Sequence, residues 1–158
     1  MEKSVLMKGK ADCKDSYDAH IIEQYKLYVE MADRVSQRRM NANTFFISVT
    51  TLLFTITSFI GDRTTFGNLV FGILGCILCF AWYFTLKSYR QLNSGKFEVI
   101  HEMEKLLPLS CYAYEWDILD KGENPSKYWP ISHIEKIVPA IFFVAYLIHI
   151  IYHLILSC

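Results

Sequence analysis

Three uncharged apolar stretches decide what this chain can become. Residues 44–60 (TFFISVTTLLFTITSFI), 69–86 (LVFGILGCILCFAWYFTL) and 137–156 (IVPAIFFVAYLIHIIYHLIL) contain no Asp, Glu, Lys or Arg. A helix needs about 20 apolar residues to cross a bilayer core, within a range of roughly 17–25. All three stretches fall in that range. A helix of a soluble bundle shows polar residues on its solvent side at every turn or two; these stretches do not. Three membrane spans are therefore predicted. The apolar share of 53% is concentrated in them. That content is too apolar for a disordered chain. Lys plus Arg and Asp plus Glu both number 16, so no net charge draws the chain to nucleic acid. Cysteines at 13, 76, 79, 111 and 158 form no regular disulfide framework. Residues 1–15 lack an apolar core, so no cleaved signal peptide is expected.

Lys and Arg set the expected orientation. Residues 1–43 and 87–136 hold all of them but Arg63. Positive charge is retained on the cytoplasmic side. This predicts a multi-pass protein of the bacterial inner membrane with a cytoplasmic N-terminus and an outer loop at 61–68. Arg34, Arg38, Arg39, Lys87, Arg90 and Lys136 then lie near the inner surface, within reach of anionic lipid headgroups.

Two of the spans are expected to continue beyond the membrane. Residues 11–60 contain neither Gly nor Pro, and those two residues are the strongest interrupters of helices. One helix over 16–60 would be roughly 65 Å long, about twice the bilayer core. Ile21, Tyr25, Tyr28, Ala32 and Val35 recur at steps of three and four, giving its cytoplasmic part an apolar stripe. A second helix is predicted over 69–107, with a kink near Asn93–Gly95. Its cytoplasmic part carries Tyr89, Leu92, Phe97, Ile100, Met103 and Leu107. The fold class expected is thus an all-α integral membrane protein. A long antiparallel hairpin extends into a cytoplasmic stalk, a third C-terminal transmembrane helix follows, and copies assemble into a homo-oligomer. The regions are 1–43, cytoplasmic helix; 44–86, two-span hairpin; 87–136, cytoplasmic helix and aromatic-rich connector; and 137–158, third span. Within the connector a short helix is expected near 113–119, a turn at 121–125, and Ser132 as cap of the third span with Glu135 three residues on.

Polar residues inside the spans are the candidate functional groups. Thr44, Ser48, Thr51, Thr55 and Ser58 follow steps of 4, 3, 4 and 3, which places them on one helix face. Asn41, Gln37 and Arg34 continue that line. Such a face suits either water or a neighbouring helix. In the first case the five hydroxyls line an aqueous path through a ring of subunits. In the second they bond to the carbonyl four residues back and permit close packing. Phe45, Leu52 and Phe59 flank the line and are candidates for an apolar gate that closes by dewetting. Asn68, Gly72, Gly75, Cys76 and Cys79 form a small-residue face suited to close helix packing. His149 and His153 are spaced as a possible metal pair, but a zinc site requires further ligands, and interfacial or packing roles are favoured. No metal, cofactor or catalytic role is expected: the chain has no nucleophile elbow, phosphate loop or zinc spacing. Glu98, Glu102, Glu104, Glu115, Asp117, Asp120 and Glu123 read as a solvated charged face.

The run YKLYVEMADRVSQRRMNANTFF, then SYRQLNSGKFEVIHEMEKLLP, then EWDIL followed by YWPISHIEKIVP, resembles the RipA-like octameric family of bacterial membrane proteins. It is also similar to the SLATT domains, two-span effectors of bacterial conflict systems. The resemblance spans about residues 20–145. It implies a homo-oligomer of four to eight subunits acting as a pore-forming antiphage effector. It also implies a cytoplasmic nucleotidyltransferase, or its nucleotide product, as partner. On this chain the pore-lining candidates are Thr44, Ser48, Thr51, Thr55 and Ser58. Arg34, Arg38 and Arg39 become candidates for a cytoplasmic vestibule or a nucleotide- or lipid-binding site. The third span departs from a two-span effector. Two other functions compete: a non-conducting membrane scaffold that recruits a cytoplasmic partner, and an intramembrane enzyme using His149 and His153.

Overall fold

Uninterrupted helix formers give uninterrupted helices. The computed structural model describes residues 17–60 and 65–156. Helix α1 spans Tyr17–Ile60 and α2 spans Thr65–Glu104. At 1.5 Å per residue each is about 60–65 Å long, well beyond a bilayer core. Asp18 lies in the first turn of α1, where an acid complements the positive helix end. Helix α3 covers Cys111–Ile118 and α4 covers Ile131–Leu156. No strand occurs among the described residues. Helices α1, α2 and α4 are each long and apolar enough to cross a membrane. Of the predicted outer loop at 61–68, residues 65–68 are instead the first turn of α2, and 61–64 lie outside the described residues, as does the expected helix start at Ser16.

Helix α2 packs along both α1 and α4, while α1 and α4 approach each other at few points. The sequence of α2 explains its central position. Asn68, Gly72, Gly75, Cys79, Trp82 and Leu86 are all buried and recur at steps of three and four. Small residues at one end of this seam let α4 come close. A Cβ on Gly75 would overlap the Tyr146 ring, which is itself fully buried. At the other end Trp82 fills the seam, stacking on Phe46 and donating from its indole Nε1 to Asn43 Oδ1 at 3.0 Å. Tyr146 closes the triangle by donating from its hydroxyl to the Thr50 carbonyl at 2.7 Å. Interhelical hydrogen bonds in membranes contribute about 0.6 kcal/mol on average and up to about 1.7 kcal/mol. These bonds therefore act more to fix helix rotation than to hold the bundle together.

Beyond the spans, α1 and α2 continue side by side as a stalk. Ala32 and Val35 on α1, and Ile100 and Met103 on α2, are buried between them. Tyr28 lies under the Lys96 ammonium, 5.0 Å from the ring centroid. The helix continues without a break through Gly95. A Cβ there would meet nothing within 4 Å, so this glycine is not required by packing. The connector turns sharply after α3. Asp120, Lys121 and Gly122 have φ of 48, 54 and 73° in succession. A Cβ on Gly122 would be strained and would meet the Pro130 ring at 3.1 Å. Lys127 secures the turn with a 2.7 Å ion pair to Asp120. Its hydrogen bond holds the Asp120 carboxyl below the usual range. Helix α4 begins at Ile131, one residue before Ser132, whose side chain lies outside the described residues.

Candidate functional site

The bundle turns its hydroxyls in two directions. Thr50 and Thr57 point into the packed side of α1 and are buried. Thr44, Ser48, Thr51 and Thr55 lie on the opposite side, exposed and turned away from α2 and α4. The five-residue line read from the sequence is therefore an outward face of α1 over these four positions; the Ser58 side chain lies outside the described residues. Ser48 donates to the Thr44 carbonyl and Thr55 to the Thr51 carbonyl, both at 2.9 Å. Two hydroxyls on the face thus have internal acceptors and keep lone pairs free to accept.

Asn41, Gln37 and Arg34 carry the same exposed side into the stalk. Arg34 pairs with Glu30 one turn earlier at 2.7 Å, with both side chains more than half exposed. Such exposed pairs contribute little to stability. Arg38 is exposed as well. Arg39 stands apart from those two. It turns toward α4, where its Nε lies 3.5 Å from Glu135 Oε2, with side chains only 18% and 10% exposed. The structure thus keeps Arg34 on the hydroxyl line, leaves Arg38 exposed one heptad before Phe45 on the adjacent line, and places Arg39 in the α1–α4 junction. Phe45, Leu52 and Phe59 are all exposed, Phe59 at 85%. Spaced seven apart, they form a second outward line roughly 60–100° around α1 from the hydroxyls.

The histidines form a separate cluster beside the first turns of α2. The rings of His149 and His153 are 4.6 Å apart, and Asn68 Nδ2 lies 3.2 Å from His153 Nδ1. His149 Nε2 is buried without a hydrogen-bond partner. Among the described residues no group of three or more His, Cys, Asp or Glu gathers where a metal could be held.

One carboxylate departs from the solvated face expected of it. Glu104 is 0% exposed. Its Oε1 accepts from the Tyr25 hydroxyl at 3.1 Å and the Tyr112 N–H at 2.8 Å, and its Oε2 from the Ala113 N–H at 3.0 Å. Burial, reinforced by the hydrogen bond to Glu104, pushes the Tyr25 phenol up to about 12. Sequence periodicity gives no hint of this node. The available signal is electrostatic: an acid in the last turn of α2 faces the negative end of its own helix dipole, so another partner must hold it. Glu135 was read as a capping residue, and its pairing with Arg39 has no sequence signature at all.

The outward faces of α1 and α4 leave room for neighbouring subunits, and the comparisons with known proteins bear on that. No curated protein and no solved structure matches the chain. A family profile does match, over residues 22–155, covering α1 from its second turn to the end of α4. It agrees with the likeness to RipA-like octameric proteins read from the stalk and connector segments. Three apolar helices and this match together make the protein a multi-pass membrane protein, and the family description supports self-assembly. The chain belongs to the octameric membrane protein family (8xMP).

Proposed function

We propose that copies of this chain assemble in the bacterial inner membrane as a ring, eight subunits by the family description, and that the ring is a gated pore. One observation carries the reading. The hydroxyl side of α1 is the polar outward face within the spans, and three spans are too few to enclose a path alone. A ring with α1 innermost would turn Thr44, Ser48, Thr51 and Thr55 toward a central path. Ser58 would continue the line. Arg34 and Arg38 would stand at its cytoplasmic mouth, where they would meet permeating anions, lipid headgroups or an anionic nucleotide signal. Arg39, paired with Glu135, would hold α1 in rotation against α4. The resting ring is closed, since an open one would dissipate its host's ion gradients. Phe45, Leu52 and Phe59 would lie between adjacent α1 helices and close the path by dewetting.

On this reading the protein catalyses no reaction and needs no cofactor. It is an effector of antiphage defence in the manner of SLATT proteins, with its N-terminus in the cytoplasm. A cytoplasmic nucleotidyltransferase or its product supplies the trigger. The test is ion leakage from liposomes holding the purified assembly with its apolar gate opened by Leu52→Ser, comparing that variant with one that adds Thr51→Leu plus Thr55→Leu. Removing both hydroxyls from the path is expected to cut the leak at least about tenfold, the effect of roughly 1.4 kcal/mol on the barrier. An unchanged leak would reject the assigned lining. An assembly that never leaks but retains a cytoplasmic protein would favour the scaffold reading, for which exposed Tyr114, Trp116 and Trp129 offer a surface.

A further inference from the structure

Helix α3 is too weak to stand on its own. It is eight residues long and none of them is buried. Isolated helices of that length do not persist in water. Ser110, the residue at its N-cap, makes no side-chain cap. The first backbone N–H groups of a helix have no partner within it and must find one elsewhere. Here the partner comes from another helix. Glu104, at the end of α2, accepts from Tyr112 N–H and Ala113 N–H, one on each carboxylate oxygen. The negative charge also meets the positive end of the α3 dipole. The other holds on α3 are slight: an edge contact between the Tyr112 and Phe97 rings at 5.7 Å, and a 3.4 Å contact from the Ser110 hydroxyl to the Glu104 carbonyl.

The same carboxylate reaches a third helix. Tyr25 of α1 donates to Glu104 Oε1 across 79 residues of chain. One buried side chain therefore joins α1, α2 and α3 at the far end of the stalk. The stalk itself does not depend on α3. Its packing is made by Ala32, Val35, Ile100 and Met103, which lie between α1 and α2. A segment that contributes nothing buried, yet is fixed by one charged group, can detach without unfolding what it covers.

We propose that residues 109–118 are a releasable strap fastened to the stalk by Glu104, whose carboxylate separately holds Tyr25 of α1. The strap stands whether or not the assembly conducts, because its readout is local opening. The experiment is amide hydrogen exchange on the full-length protein in lipid nanodiscs, comparing wild type with Glu104→Gln and with Ala113→Pro. The second variant leaves Glu104 in place and deletes one donor, at the third position of α3, where the N–H has no acceptor within the helix. Both are expected to speed exchange across 111–118 by about tenfold or more, while the paired stretches of α1 and α2 around Val35 and Ile100 keep wild-type protection. Tyr25→Phe, which keeps the α3 cap, should speed exchange near residue 25 and leave α3 protected. Unchanged protection of α3 in both Glu104→Gln and Ala113→Pro overturns the proposal. So does exchange that rises equally through α1, α2 and α3, which would make Glu104 a structural keystone of the whole stalk.

Discussion

The outward faces of α1 and α4 run through the same apolar region of the bundle but carry different chemistry. On α4 the exposed line is Ile137, Ile141, Val144, Ile148, Ile151 and Ile155, all branched aliphatics at helical spacing. On α1 one exposed line is Thr44, Ser48, Thr51 and Thr55, beside the apolar line of Phe45, Leu52 and Phe59. A β-branched aliphatic face is matched to lipid tails and has no other demand. The hydroxyl face tolerates lipid because Ser48 and Thr55 bond to carbonyls of their own helix, yet it can also accept from water or from an adjacent subunit. The contrast is that the α4 line is wholly aliphatic while α1 carries hydroxyls beside its apolar line. α2, between them, packs along one seam from Asn68 to Leu86 that both neighbours occupy, while Val70, Ile73, Ile77, Phe80 and Phe84 remain exposed.

The comparison breaks most visibly under charge. An Arg at the centre of a lipid-facing helix costs about 2.5–3.5 kcal/mol on insertion scales. Ile148→Arg should therefore reduce insertion or stability by about 3 kcal/mol, whereas Thr51→Arg, facing water or a neighbouring polar face, should be tolerated far better. A glycosylation-based insertion assay or unfolding in SDS reads the difference; equal penalties would mean that both faces meet lipid. A smaller effect concerns how the two faces are held at their angle. Tyr146→Phe removes the bond to the Thr50 carbonyl and should destabilise the bundle by about 1 kcal/mol, measured by reversible SDS unfolding. The smallest effect tests the internal bonding of the hydroxyl face. Thr55→Ala should change monomer stability by no more than about 0.5 kcal/mol, as surface substitutions do. A larger loss would show that this hydroxyl holds a partner beyond its own helix.

Much of this architecture is visible in the residues themselves, because hydropathy and helix periodicity act locally. Ala32 and Val35 are buried as their spacing predicts, and the small face of α2 meets its neighbours where Gly72 and Gly75 permit close approach. The uninterrupted passage of α1 from stalk to span follows from the absence of breakers. What stays hidden in the sequence are pairings between distant residues. Tyr25 with Glu104, Arg39 with Glu135, and Asn43 with Trp82 each join separate helices. No local spacing encodes such a contact, since it depends on the rotation of two packed helices. Helix α2 continues unbroken through Gly95, although one glycine lowers helix propensity by about 1 kcal/mol.

The central claim is that the hydroxyl side of α1 faces the inside of the assembly and the aliphatic side of α4 faces lipid. A single-particle reconstruction of the detergent-solubilised complex tests it directly. The account predicts a closed ring with Thr44, Ser48, Thr51 and Thr55 bordering the central axis and Ile141, Val144 and Ile148 on the rim. A ring with α4 innermost, or one in which those threonines and serine point outward into detergent, would contradict it.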